Sequence, residues 1–128
     1  MHALILAAAL SGASCANPSI LSAVAQPVTA NGALNHYTIS ITVQNIGSVR
    51  QPSNLLQSID VLQDDQPVDR IGLQPLRPNQ TQKVTYGFDR SADAGEGTTN
   101  LIFTLDLNGR SGDDIDCHGG VESFKLRV

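Results

Sequence analysis

The sequence lacks tryptophan, and aromatic residues make up only 4% of its 128 positions. It therefore offers no platform of aromatic side chains on which single-stranded nucleic acids could stack. Its eight Lys and Arg residues are scattered singly from Arg50 to Arg127, and the net charge is −4. Because no basic stripe is present to neutralise phosphates, we expect no nucleic-acid partner.

Helical periodicity is also missing, since no window after residue 17 sustains a 3.6-residue repeat. Apolar residues instead recur at every second position, most clearly in HYTISITVQ (36–44), which is typical of a strand with one wet face. Further strands are predicted over 19–26, 55–63, 69–74, 81–89, 99–107 and 121–128. About seven short strands separated by turn residues predict an all-β, immunoglobulin-like antiparallel β-sandwich.

The N-terminus resembles an export signal. Residues 3–10 read ALILAAAL, an apolar run that fits a signal-peptide core and is too short to span a bilayer. A cut after Ala16 would satisfy the small-x-small rule through Ser14 and Ala16. We therefore predict a signal peptide or lipoprotein leader over 1–16 and a single domain over 17–128. The expected location is extracytoplasmic: periplasmic, secreted, or associated with the outer membrane or cell surface.

The chain has two cysteines, Cys15 and Cys117, whose roles the sequence leaves open. The stretch G-A-S-C resembles a bacterial lipobox, in which case a lipid on Cys15 would be the chain's only membrane attachment. If Cys15 leaves with the leader, Cys117 becomes a lone thiol. If Cys15 stays without a lipid, the two could form a disulfide that pins the N-terminus to the last loop.

Several motifs resemble those of CARDB-type domains, which are bacterial immunoglobulin-like modules related to cell adhesion. ISITVQNIGS (39–48) is similar to their opening strand followed by V-x-N-x-G-S, and 58–73 is similar to their second hairpin, with Asp64-Asp65 at the usual D-G turn. LRPNQTQKVTYGF (76–88) resembles their L-x-P-G strand entry, with Asn79 replacing the glycine. Asn readily adopts the positive φ that this glycine would supply. The resemblance covers about 18–128 and implies an extracytoplasmic interaction or spacer module without catalytic residues.

The loop over 106–118 concentrates acidic side chains, and Asp113, Asp114 and Asp116 form a candidate calcium site because calcium prefers several carboxylate oxygens. An EF-hand is excluded, since Arg110 stands at the third ligand position and no closing glutamate follows. A copper or zinc site at Cys117 and His118 is the weaker alternative, because Met1 is the only methionine and no later histidine exists. We otherwise expect no cofactor.

Catalytic motifs are missing as well. No G-x-S-x-G elbow occurs, and His36 falls on the wet face of its strand, so we expect the chain not to be an enzyme. The sequence favours a structural or interaction module of the bacterial envelope that contacts protein partners or takes part in a surface assembly. The strands 19–26 and 121–128 are the predicted sheet edges for such contacts. The alternative is a domain that binds calcium or another ligand at the acidic 106–118 loop.

Overall fold

The computed structural model describes residues 15–92, 97–107 and 117–128, and within these ranges the chain forms strands and no helix. No helix that could cross a membrane occurs in these three stretches. The strands are β1 (Pro18–Ala25), β2 (Thr29–Asn31), β3 (Leu34–Asn45), β4 (Gln57–Gln63), β5 (Gln66–Leu73), β6 (Thr81–Ser91), β7 (Asn100–Leu107) and β8 (Ser123–Arg127).

The strands form two antiparallel sheets of four strands each. In the first sheet β3 is central: β1 and β2 follow one another along one side of it, and β6 pairs along the other side. The second sheet has the order β5-β4-β7-β8. The fold is an immunoglobulin-like β-sandwich, which confirms the fold class predicted from the two-residue periodicity.

The alternating residues of both sheets meet in one hydrophobic core. Ile39, Ile41 and Val43 of β3 are fully buried, as are Ile59 of β4 and Phe103 of β7. The residues between them in β3 are polar and only partly buried, so this strand has one dry face and one wetter face. Burial of this apolar surface is the main contribution to stability.

Asn45 at the end of β3 connects three segments beneath the core. Its Oδ1 accepts hydrogen bonds from the backbone N–H groups of Asn17 and Gly47, both at 2.9 Å. Its Nδ2 donates to the carbonyl oxygens of Val49 at 2.9 Å and Leu76 at 3.1 Å. Because Asn45 is fully buried, these partners meet the requirement that a buried amide be hydrogen-bonded. The asparagine of the V-x-N-x-G-S motif is therefore a structural residue.

The opposite end of the sandwich is joined by Arg90. Its guanidinium lies 4.5 Å from the ring centroid of Tyr37 and donates to the Tyr37 hydroxyl at 2.7 Å. It also donates to Thr99 Oγ1 and to the Val128 carbonyl, both at 3.0 Å. One side chain of β6 thus connects the first sheet to the residue before β7 and to Val128 after β8.

The turns predicted at Asp64-Asp65 and at Asn79 require residues with positive φ, and the structure has them. Asn79 has φ 65°, so it adopts the left-handed conformation expected for the residue that replaces a glycine. Asp64 and Asp65 both have positive φ, at 49° and 67°, which is the pattern of a type I′ hairpin turn between β4 and β5.

Two details of the strand prediction were wrong. The three-residue strand β2 was missed, because it is too short to show alternation and follows Pro27. The last strand was predicted to begin at residue 121, but β8 begins at Ser123 and Val121 is 46% exposed. Its carbonyl instead accepts a hydrogen bond from the Ile20 N–H at 2.8 Å, which turns this segment toward β1.

Candidate functional site

Cys15 and Cys117 form a disulfide with a Cα–Cα distance of 5.5 Å across 102 residues of sequence. Of the three roles considered for these cysteines, the structure contains the bond between the N-terminal segment and the end of the last loop. Next to it, the Ala16 carbonyl accepts a hydrogen bond from the Cys117 N–H at 2.6 Å. Ala16 itself is fully buried, although it was predicted to be the last residue of the leader.

The candidate calcium ligands Asp113, Asp114 and Asp116 lie outside the described residues. The described ends of the same loop already have partners. Asp106 Oδ2 lies 3.4 Å from Arg70 Nη2, and His118 Nδ1 lies 3.0 Å from Glu122 Oε2. Among the residues that the structure describes, no group of three or more His, Cys, Asp or Glu side chains is arranged to hold a metal ion.

The alternative metal site at Cys117 and His118 lacks its sulfur ligand, and the early histidine His36 has a partner elsewhere. The Cys117 sulfur is bonded to Cys15, so no thiolate is left to bind copper or zinc. His36 is half exposed on β3, and its Nδ1 lies 2.7 Å from Asp89 Oδ1 on the neighbouring strand β6. This cross-strand pair is consistent with the interpretation of His36 as an exposed polar residue.

A shallow groove of about 460 Å³ lies on the outer face of β4 and β5 and contains a charge network. Arg70 lies over Asp60, with Nε–Oδ1 and Nη2–Oδ2 distances of 2.9 and 3.1 Å. Burial acts to raise the pKa of Asp60, but hydrogen bonds from Arg70 and Ser58 and the Arg70 charge outweigh it and lower this pKa below 3.8. The guanidinium charge of Arg70 is therefore already paired with the Asp60 carboxylate.

The free edges of the two sheets differ in charge. In the described part of the chain the edges are formed by β1 with β2, by β6, by β5 and by β8. The last three each carry charged side chains, which is a common protection against unwanted strand pairing. These are Lys83, Asp89 and Arg90 on β6, Asp69 and Arg70 on β5, and Lys125 and Arg127 on β8.

The edge formed by β1 and β2 carries no charge. All 20 Lys, Arg, Asp and Glu residues of the chain lie at or after Arg50, so both strands and the central strand β3 are uncharged. Along this edge three aliphatic side chains are about half exposed: Leu21 at 48%, Val24 at 52% and Val28 at 49%. Leu21 sits at the shift in register between Ile20 and Ser22, which is a β-bulge.

The backbone of β1 offers hydrogen-bonding groups at this edge. Gln26 N–H donates to the Thr38 carbonyl at 2.8 Å, so in an antiparallel ladder Gln26 and Val24 direct their backbone groups toward β3. Ala23 and Ala25 therefore direct their N–H and C=O groups away from β3. At the start of the strand this outward side is occupied by Val121, and among the described residues no strand pairs with the outward side of the second half of β1. We call Leu21–Ala25, with its outward backbone groups, the β1 edge.

The prediction that 19–26 and 121–128 form sheet edges agrees with the positions of β1 and β8. The sequence also shows that these two edges differ in charge, because no charged residue precedes Arg50 whereas Lys125 and Arg127 lie on β8. The other two edges, β5 and β6, depend on the pairing order of the strands, which periodicity does not determine.

No family model and no curated protein sequence matches the chain. Its structure is similar to the CARDB domain of a Pyrococcus furiosus protein, solved in complex with di-metal ions. That similarity has a TM-score of 0.62 and 12% identity over 90% of this chain and 93% of that one. It is also similar to a GH2 β-galacturonidase from Eisenbergiella tayi bound to glycerol, with a TM-score of 0.56 and 12% identity. The second match covers 88% of this chain but only 18% of the enzyme.

These similarities support the fold assignment. The chain has a CARDB-like, immunoglobulin-like fold, as its strand and turn motifs indicated. The same architecture occurs in a separate domain and in a small part of a large glycosidase, so the fold does not determine activity. The function of this chain therefore depends on the chemistry of its own surface.

Proposed function

We propose that the chain is a non-enzymatic, extracytoplasmic interaction module of the bacterial envelope that binds another protein by adding a strand of the partner to the β1 edge. The observation that carries this proposal is the absence of charge along β1 and β2, while the other described edges are charged. A sheet edge with free backbone groups and no charged side chain is a template for strand addition.

The chemistry of the edge indicates the kind of partner. Outward backbone groups at Ala23 and Ala25 would hydrogen-bond to an extended segment, and the exposed Val24 between them would contact its side chains. Because nothing on this edge could pair with a charge, the preferred segment is uncharged and rich in aliphatic or β-branched residues. The disulfide between Cys15 and Cys117 supports an oxidising location, where such bonds persist.

Substitution of Val24 by lysine tests this assignment. A lysine at an edge opposes strand pairing because its charge would have to be desolvated against the partner. We expect Val24→Lys to weaken capture of the partner from envelope extract about tenfold, which corresponds to about 1.4 kcal/mol. The matched control is Val68→Lys on the β5 edge, where the native valine is 46% exposed.

The bound proteins are identified and quantified by mass spectrometry for the wild type and both variants. A partner that is lost with Val24→Lys and kept with Val68→Lys supports the β1 edge. Equal binding by all three proteins, or equal loss with both variants, would reject it.

Calcium binding by Asp113, Asp114 and Asp116 remains the second candidate function, and the di-metal complex of the Pyrococcus furiosus domain is the observation that favours it. Melting curves of chelator-treated protein, with and without millimolar calcium, test this candidate. A melting temperature that rises with calcium concentration as mass action requires would support a site, and an unchanged temperature would reject it.

A further inference from the structure

We infer that leader processing ends before Cys15, so that the mature chain keeps Cys15, bonded to Cys117 and without a lipid. This inference rests on the extracytoplasmic part of the proposed function and is independent of the β1 edge. It differs from the cut after Ala16 that the small-x-small rule suggests, because that cut would remove one partner of the disulfide.

The backbone of the segment at Cys15 and Ala16 takes part in the fold. The Cys15 carbonyl accepts hydrogen bonds from the N–H groups of Ser48 at 3.1 Å and Val49 at 3.4 Å, and Ala16 bonds to Cys117. A cut after Ala16 would leave these N–H groups without their acceptors. A leader is discarded after export, so residues on which the folded domain depends are poor candidates for its last two positions.

The turn after β3 is shaped around the same segment. A Cβ at Gly47 would collide with the Cys15 carbonyl oxygen and would lie 2.7 Å from the Asn17 nitrogen. Only glycine, which has no Cβ, lets the turn lie this close to the backbone of residues 15–17. Asn17 Oδ1 in turn accepts the N–H groups of Gly119 and Gly120, at 3.2 and 2.9 Å. The segment 15–17 thus lies between the turn at Gly47 and the turn at Gly119 and Gly120.

The chemistry of the sulfur excludes the lipoprotein alternative once the disulfide forms. A lipid thioether and a disulfide both need the single Cys15 sulfur. The bond forms by exchange with an oxidised dithiol carrier protein: the two thiols become a disulfide while the disulfide of the carrier is reduced to two thiols. The leader itself is removed by hydrolysis at or before the Ser14–Cys15 bond, where Gly12 and Ser14 meet the small-x-small rule.

The test uses the full chain, expressed with its leader and purified without reductant from the extracytoplasmic fraction. Its intact mass is measured, and its thiols are labelled with maleimide in denaturant before and after reduction. We expect a chain that begins at or before Cys15, without acyl mass, with no label before reduction and two labels after it. In Cys117→Ser we expect one label without reduction, because Cys15 is still present.

The outcomes separate this inference from the proposed function. A chain that begins at Asn17 with one free thiol, or a chain with an acylated Cys15, would overturn the inference and leave the extracytoplasmic location intact. A full-length chain with two free thiols in the cytoplasmic fraction would overturn both. If Cys117→Ser fails to accumulate, the mass and labelling of the wild type still decide the matter.

Discussion

Substitution of Asn45 by alanine removes the amide that joins the end of β3 to two other segments. The variant removes the acceptor of the Asn17 and Gly47 N–H groups and the amide donor to the Val49 carbonyl. The Leu76 carbonyl loses one of two donors, because the Gln51 N–H still donates to it at 3.0 Å. Alanine is smaller than asparagine, so no clash is introduced and the effect comes from the lost hydrogen bonds.

The magnitude follows from the burial of each bond. The bond to Leu76 is buried, but the Leu76 carbonyl keeps the hydrogen bond from the Gln51 N–H, so the loss costs about 0.5–1.5 kcal/mol. The other three bonds are partly buried, and each contributes about 0.5–1 kcal/mol because water can replace part of the lost bond. We therefore expect Asn45→Ala to lower the free energy of unfolding by about 2–4.5 kcal/mol.

Urea denaturation followed by far-UV circular dichroism measures this difference, with the disulfide left oxidised. Gln44→Ala is the matched control, because the neighbouring Gln44 makes one exposed bond, to the Asn79 carbonyl at 3.0 Å. We expect the control to cost less than about 1 kcal/mol. If Asn45→Ala costs no more than Gln44→Ala, the view that Asn45 organises this end of the sandwich is refuted.

Three other changes test separate parts of the structure. Cys117→Ser should lower the free energy of unfolding by up to about 4–5 kcal/mol, because the bond with Cys15 closes a loop of about 100 residues; denaturation of wild type with and without reductant should give the same difference. Asp65→Gly should raise stability by up to about 1 kcal/mol, because glycine adopts positive φ without strain, and an unchanged or lower urea midpoint would contradict this. Asp60→Asn should be less stable than wild type at neutral pH. Because the folded pKa of Asp60 lies below its ordinary value, its contribution is present above about 3.8 and is lost as pH falls through the folded pKa, so melting temperatures measured against pH should converge in acid.

The fold could be predicted from the sequence because strand alternation and turn chemistry are local signals. Ile39, Ile41 and Val43 show the core face of β3 in five residues, and all three are fully buried. Turns are local signals as well: asparagine often adopts positive φ, and Asn79 has a φ of 65°. The CARDB-like fold follows from the sum of such local choices.

Contacts between distant segments were harder to predict. The bond between Cys15 and Cys117 joins residues that are 102 positions apart in sequence. Whether two such distant residues meet depends on how the two sheets pack, and the sequence pattern does not determine that. The function of Asn45 was equally hidden, because its partners come from residues 17, 47, 49 and 76. Local acidity is the only signal for the candidate calcium ligands, and they remain a prediction.

Amide hydrogen exchange along β1, followed residue by residue by NMR in the isolated domain and in complex with the captured partner, tests the proposed contact most directly. In the isolated domain we expect the amides of Ala23 and Ala25 to exchange rapidly, while Val24 and Gln26, which bond to β3, exchange slowly. In the complex Ala23 and Ala25 should become protected as well. Protection of both amides in the isolated domain, or rapid exchange of both in the complex, would contradict strand addition at the β1 edge.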